Sequence, residues 1–171
     1  MDNKINLRVE AKNIRKSLPR DLISHKLVQL LREDDLYINS KNVMIYYPMK
    51  FEIDLRELLN DDKNFYLPRV NDENLEVCPY HSQEELVKSS LGVFEPVCGS
   101  VSPNILDLVI VPALLADEKC YRLGYGGGYY DRFLKKNADF FKSIVLLPRQ
   151  LYVKKLPVEN FDVRVDKIIL C

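Results

Sequence analysis

Apolar residues recur along this chain with two different periods, and the alternation between them is the first structural signal. Over residues 3–18, Leu7, Ala11, Ile14 and Leu18 return at helical spacing. Pro19 followed by Asp21 suits a helix restart. A second helix is expected over 20–33, with Ile23, Leu27, Leu30 and Leu31 turned inward. Short apolar runs follow at 42–47, 65–67, 75–80, 105–111, 143–147 and 167–170, and each reads as a strand. The run at 105–111 is nearly continuous Leu, Ile and Val, as expected of a strand covered on both faces. Helical patterns at 54–59 and 129–136 separate strands, and 95–104, with Pro96, Gly99 and Pro103, reads as a loop. Helices alternating with buried strands predict an α/β fold around a mostly parallel sheet covered on both faces.

Composition narrows the classes. The 171 residues predict one domain over 1–171. With 47% hydrophobic residues the chain has material for a core and is not disordered throughout. No run approaches the length of a transmembrane helix, and the charged N-terminal segment lacks the apolar stretch of a secretory signal. A cytoplasmic, membrane-free location is the expectation. Four scattered cysteines without a C-x-x-C pair, and only two histidines, give no zinc pattern and are expected to be free thiols.

The 25 basic residues balance 25 acidic ones, which argues against a nucleic-acid-coating surface. Neutrality overall hides a local bias. The first twenty residues carry Lys4, Arg8, Lys12, Arg15, Lys16 and Arg20 against Asp2 and Glu10. At ~100° per residue, the stripe of Lys4, Arg8, Lys12 and Arg15 is centred roughly 85° from the apolar stripe.

The chemistry is concentrated at residues 122–132, Arg-Leu-Gly-Tyr-Gly-Gly-Gly-Tyr-Tyr-Asp-Arg. Four of the six glycines lie here, and such a concentration needs a reason because glycine loses the most entropy on folding. A glycine loop opening a helix near Tyr129 offers free N–H groups and a macrodipole to phosphate. Tyr129 stands where a dinucleotide fingerprint needs glycine, and no Lys-Ser or Lys-Thr follows, so neither standard nucleotide motif applies. Asp131 in the first helical turn either complements the macrodipole or ligates Mg²⁺; the residues alone leave both open.

At this loop the sequence resembles the 5-formyltetrahydrofolate cyclo-ligase family, also called methenyltetrahydrofolate synthetase, whose signature is like R-L-G-x-G-x-G-Y-Y-D. Other elements match in order: Lys4 to Arg8, Glu52-Ile53-Asp54, Pro68-Arg69, Gly92 to Pro96, the strand Asp107 to Pro112, and Asp162 with Asp166. The resemblance implies a three-layer α/β/α sandwich of the NagB/RpiA/CoA-transferase kind. It implies ATP-dependent cyclisation of 5-formyltetrahydrofolate to 5,10-methenyltetrahydrofolate, with release of ADP and phosphate through a phosphorylated formyl intermediate. It places Lys4, Arg8, Arg122, Leu123, Gly124, Tyr125, Gly126, Gly127, Gly128, Tyr129 and Tyr130 at ATP. It places Tyr47, Glu52 and the stretch Tyr125, Gly126, Gly127, Gly128 and Tyr129 at the folate, and Asp131 and Asp162 at Mg²⁺. Partners would be ATP and 5-formyltetrahydrofolate, with no nucleic acid and no membrane, and the chain is expected to be a monomer. No residue is assigned as nucleophile. Tyr125 stands where many members carry Arg, Phe161 where many carry His, and Leu55 where Thr is common. A catalytically idle folate- or nucleotide-binding relative is the alternative.

Overall fold

The computed structural model describes residues 2–171. Helix α1 (Asp2–Ser17) and α2 (Arg20–Arg32) are joined by the Leu18–Pro19 break. A one-turn helix α3 (Asp35–Ile38) leads to β1 (Asn42–Met44). The hairpin β2 (Asn64–Asn71) and β3 (Asn74–Pro79) is followed by a small hairpin, β4 (Leu86–Lys88) and β5 (Phe94–Pro96). Then come β6 (Leu108–Ile110), β7 (Leu115–Asp117), β8 (Arg122–Leu123), α4 (Tyr129–Asn137), β9 (Lys142–Leu147), β10 (Tyr152–Val153) and β11 (Lys167–Leu170). The main sheet has the order β11-β9-β6-β1-β2-β3 and is parallel except for the β2–β3 hairpin.

Strand residues alternate between two cores, which gives the layering its physical basis. Met44, Val109, Val111, Val145 and Leu147 face one side, where α1 supplies Ala11 and α4 supplies Phe133 and Leu134. Val43, Ile45, Leu108, Ile110, Ile144 and Leu146 face the other, where α2 supplies Ile23, Leu27, Val28 and Leu31. The arrangement is the expected three-layer α/β/α sandwich. All four cysteines are free, and among the described residues no helix is long and apolar enough to cross a membrane.

Several local expectations are corrected. Leu18 follows α1 and packs on the α2 side, so it does not complete the α1 stripe. Residues Arg56–Asn60 form a 3₁₀ turn in place of the expected α-helix. The apolar run at 105–111 is longer than the strand it contains, because Pro103–Ile105 makes a separate turn. The strand expected over 65–67 runs on through Pro68 to Asn71. Tyr80 N donates to Phe65 O, so odd-numbered β2 residues face β3 across hydrogen-bonded pairs and Pro68, opposite Val77, turns its nitrogen away from β3. That side is open because the β1 pairing ends at Tyr66, and no ladder bond is lost. Glu95 and Pro96 lie in β5 and not in a loop.

Strand order reverses at β1: the chain runs to β2 on one side and returns through β6 and β9 on the other. Open α/β sheets place ligands beyond the carboxyl ends of strands at such a switch point. The segments leaving β1 (Tyr46, Tyr47, Met49) and β6 (Pro112) line the principal cleft. Ile110 is fully buried in the central strand β6. Ile110→Ala is expected to cost about 2–5 kcal/mol in urea unfolding; a loss below ~1 kcal/mol would contradict its place in the core.

Candidate active site

The glycine loop bridges β8 and α4 and forms one wall of a cleft of ≈ 880 Å³. Glycine is required at specific points. Gly128 is the residue before α4 and has φ 68, and Gly126 has φ 110, both in the left-handed region. A Cβ on Gly127 would lie 2.6 Å from the Tyr129 ring. The loop is gripped from α1, where Arg8 Nε donates to Gly124 O at 2.9 Å.

All fifteen residues expected at ATP, folate or metal line this one cleft: Lys4, Arg8, Tyr47, Glu52, the run from Arg122 to Asp131, and Asp162. Their immediate partners differ from free, solvated groups. Lys4 Nζ donates to Glu159 Oε2 at 2.6 Å and to Asp162 Oδ2 at 2.7 Å. Burial opposes the Lys4 ammonium, but the hydrogen bonds and charges of Asp162 and Glu159 outweigh it and hold its pKa above the ordinary lysine value. Asp131 Oδ2 accepts from Arg122 Nη2 at 3.0 Å, and its Oδ1 accepts from Val163 N at 3.1 Å. That second bond brings Asp131 beside the residue following Asp162 and makes the two acids neighbours.

Their carboxylate oxygens suit a hard cation, and they face a phosphate-type loop. No group of three or more His, Cys, Asp or Glu side chains able to hold a metal occurs among the described residues. The arrangement fits Mg²⁺ completed by phosphate and water, not a closed protein cage.

Glu52 is buried, 4% exposed. Its Oε2 accepts from Met49 N at 2.8 Å, which closes the turn after β1. Burial pushes its pKa above the usual carboxylate value, opposed by the Met49 N–H, the Tyr125 hydroxyl, Arg15 and Arg20. Tyr130 places its hydroxyl out of solvent without a hydrogen-bond partner. Burial pushes that phenol well above its ordinary pKa. Tyr47 meets Phe94 of β5 edge to face at 5.5 Å between ring centroids.

Residues 2–171 match the family model described as the 5-formyltetrahydrofolate cyclo-ligase family. This chain belongs to that family. It is 29% identical to the 5-formyltetrahydrofolate cyclo-ligase of Haemophilus influenzae, covering 96% of this chain and 95% of that protein. It is 27% identical to the Mus musculus cyclo-ligase, over 84% of this chain and 79% of the relative. Among solved structures, the 5,10-methenyltetrahydrofolate synthetase of Aquifex aeolicus superposes with a TM-score of 0.86 at 31% identity, covering 98% of this chain and 89% of that one. The cyclo-ligase family is one of ligases, and ATP-dependent ring closure is its reaction.

Sequence reasoning did not place Tyr46, Glu95 or Glu159 in the cleft, yet all three line it. Glu159 had one available signal, its position three residues before Asp162. Glu95 is buried and accepts from Val70 N at 3.1 Å.

Asp131 cannot be removed without cost to the fold. Its partner Arg122 is only 3% exposed at the side chain, so Asp131→Ala strands a buried guanidinium. That variant is expected to lose about 3–5 kcal/mol of stability. The double variant Arg122→Met/Asp131→Ala is expected to recover part of that loss, read as a coupling in a urea double-mutant cycle. Strict additivity would mean the pair is not coupled.

Proposed function

We propose that this chain closes 5-formyltetrahydrofolate to 5,10-methenyltetrahydrofolate at the expense of ATP, releasing ADP and phosphate. One observation carries the reading: the phosphate-type glycine loop and the buried Glu52 share a single cleft. ATP lies along Lys4, Arg8 and the run Arg122 to Tyr130. The folate faces Tyr47, Glu52 and the stretch Tyr125 to Tyr129. A buried carboxylate suits the donor edge of an aminopyrimidine, since Glu52 accepts hydrogen bonds when ionised.

Among the described residues, no serine, cysteine or histidine lines the cleft. This supports direct transfer between substrates without a covalent protein intermediate. The formyl oxygen attacks the γ-phosphorus, and the bond between that phosphorus and the bridging oxygen of ADP breaks. N10 then adds to the activated formyl carbon and gives up its proton, the carbon–oxygen bond breaks, and that oxygen leaves with the phosphate, which can carry the proton away. Phosphoryl transfer of this kind needs positioning and charge stabilisation more than protein nucleophilicity. Lys4, Arg8 and the loop N–H groups supply both. Asp131 and Asp162 would hold Mg²⁺, which spreads the phosphate charge when bound. For Lys4 to meet a phosphate, its ammonium exchanges one of its two carboxylate partners, Glu159 or Asp162.

Purified protein with ATP, Mg²⁺ and 5-formyltetrahydrofolate is expected to generate the near-ultraviolet absorbance of the methenyl product. Omission of ATP or Mg²⁺ should abolish it. Folded protein that binds the folate yet forms no product would favour the idle-relative reading instead. Arg8→Met is expected to lower kcat/KM for ATP by about 10²–10³-fold, while leaving folate binding measurable in a titration without nucleotide. Unchanged kcat/KM for ATP would remove Arg8 from the phosphate site.

A further inference from the structure

Arg15 belongs to the basic stripe of α1, but it is only 7% exposed and does not line the cleft. It lies behind the wall. Its Nη2 donates to Ala113 O, its Nη1 donates to the Tyr125 hydroxyl at 3.3 Å, and its Nε has no partner. A guanidinium taken out of water needs anionic compensation, yet among the described residues Arg15 makes no salt bridge. The carboxylate whose charge it feels is Glu52.

The titratable and charged groups facing Glu52 come from five elements. They are Arg15 of α1, Arg20 at the start of α2, Tyr46 after β1, Tyr125 of the loop and Tyr130 of α4. The tyrosines are neutral, their pKa values all raised by burial. Arg20 reaches the Glu52 carbonyl at 2.7 Å, but its charge is shared with Asp21 and Asp54. Arg15 is therefore the buried cation near Glu52 that no other carboxylate claims.

We propose that Arg15 is a positioning residue for the folate: from behind the cleft its buried guanidinium, tied to the Ala113 carbonyl, fixes the Tyr125 hydroxyl and sets its charge behind Glu52, so that the pocket selects a ligand with a hydrogen-bond-donating edge. This rests on the reading that Glu52 faces the folate. The physical balance supports it. Burial drives Glu52 toward its protonated form, and the charge of Arg15 is one of the forces opposing that drive. Removal of Arg15 leaves burial less opposed, so Glu52 holds its proton to higher pH. Folate binding that needs the carboxylate then weakens as pH falls and recovers as pH rises.

The test compares Arg15→Gln, Arg15→Lys, Glu52→Gln and the double variant Arg15→Gln/Glu52→Gln, with folding checked by circular dichroism at each pH. For Arg15→Gln, the KM for 5-formyltetrahydrofolate is expected to rise progressively as pH falls, toward a limit of about tenfold below the Glu52 titration, and to approach the wild-type value at high pH, the limit corresponding to a shift of one pKa unit at Glu52. The KM for ATP should change much less. Arg15→Lys, which keeps the charge, should retain a nearly wild-type pH profile. Glu52→Gln should raise the folate KM at every pH, and adding Arg15→Gln should raise it little further. An Arg15→Gln effect equal at all pH values would show a structural role and overturn the proposal. So would a fully additive double variant. If Arg15→Gln does not fold, Arg15→Lys decides: a folate KM raised equally at all pH values would overturn the proposal. If Glu52→Gln leaves the folate KM unchanged, the underlying assignment of Glu52 fails, a distinct result from failure of Arg15 alone.

Discussion

The site depends on a glycine loop that is held from outside. Its glycines reach left-handed conformations and leave room for the rings and guanidinium groups around them, but they bring no side chains of their own to pack. Order comes from neighbours. Arg8 holds the Gly124 carbonyl, Arg15 holds the Tyr125 hydroxyl, and the Arg122–Asp131 pair ties the start of the loop to the first turn of α4. Two of these three anchors come from α1, so the first helix is both a layer of the fold and the brace of the cleft. Its apolar face, with Ala11 buried, packs on the sheet, while the adjoining basic face turns to the loop.

The sheet supplies the second constraint. Because strand order reverses at β1, the chains leaving β1 and β6 diverge and open a crevice between them. Glu52 sits on the β1 side, and the glycine loop follows the β7–β8 hairpin that departs from β6. A carboxylate suited to one substrate and a loop suited to phosphate thus face each other across one space. Transfer between two bound molecules gains most from such fixed proximity, and it requires no nucleophile from the protein. The surrounding pairs Lys4–Asp162 and Arg122–Asp131 keep the local charge nearly balanced before substrates arrive. Desolvated charges left single would be costly.

Much of this was legible in the sequence, for physical reasons that differ by element. The strands at 143–147 and 167–170 were readable because their runs are almost wholly apolar, with side chains packed into both cores. The glycine loop announced itself because so many glycines in a row have few structural uses. The edge strands β4, β5 and β10 were not readable, since strands of two or three residues are too short to carry a periodic signal. The run of β2 beyond 67 through Pro68 was not readable, because the cost of a proline in a strand depends on which side its nitrogen faces, a property of register and not of residue type. Arg15 shared a stripe with Lys4 and Arg8, but a basic stripe does not say which of its members a neighbouring segment will cover. The pairing of Asp131 with Arg122 was similarly hidden, because it depends on how the loop folds back across nine positions.

The central claim is that both substrates occupy one cleft and that the folate's own formyl oxygen receives the phosphoryl group. Reaction of 5-formyltetrahydrofolate labelled with ¹⁸O at the formyl group, followed by mass spectrometry of the released phosphate, tests it most directly. One labelled oxygen is expected in each phosphate formed. Unlabelled phosphate released in step with the methenyl product would contradict it.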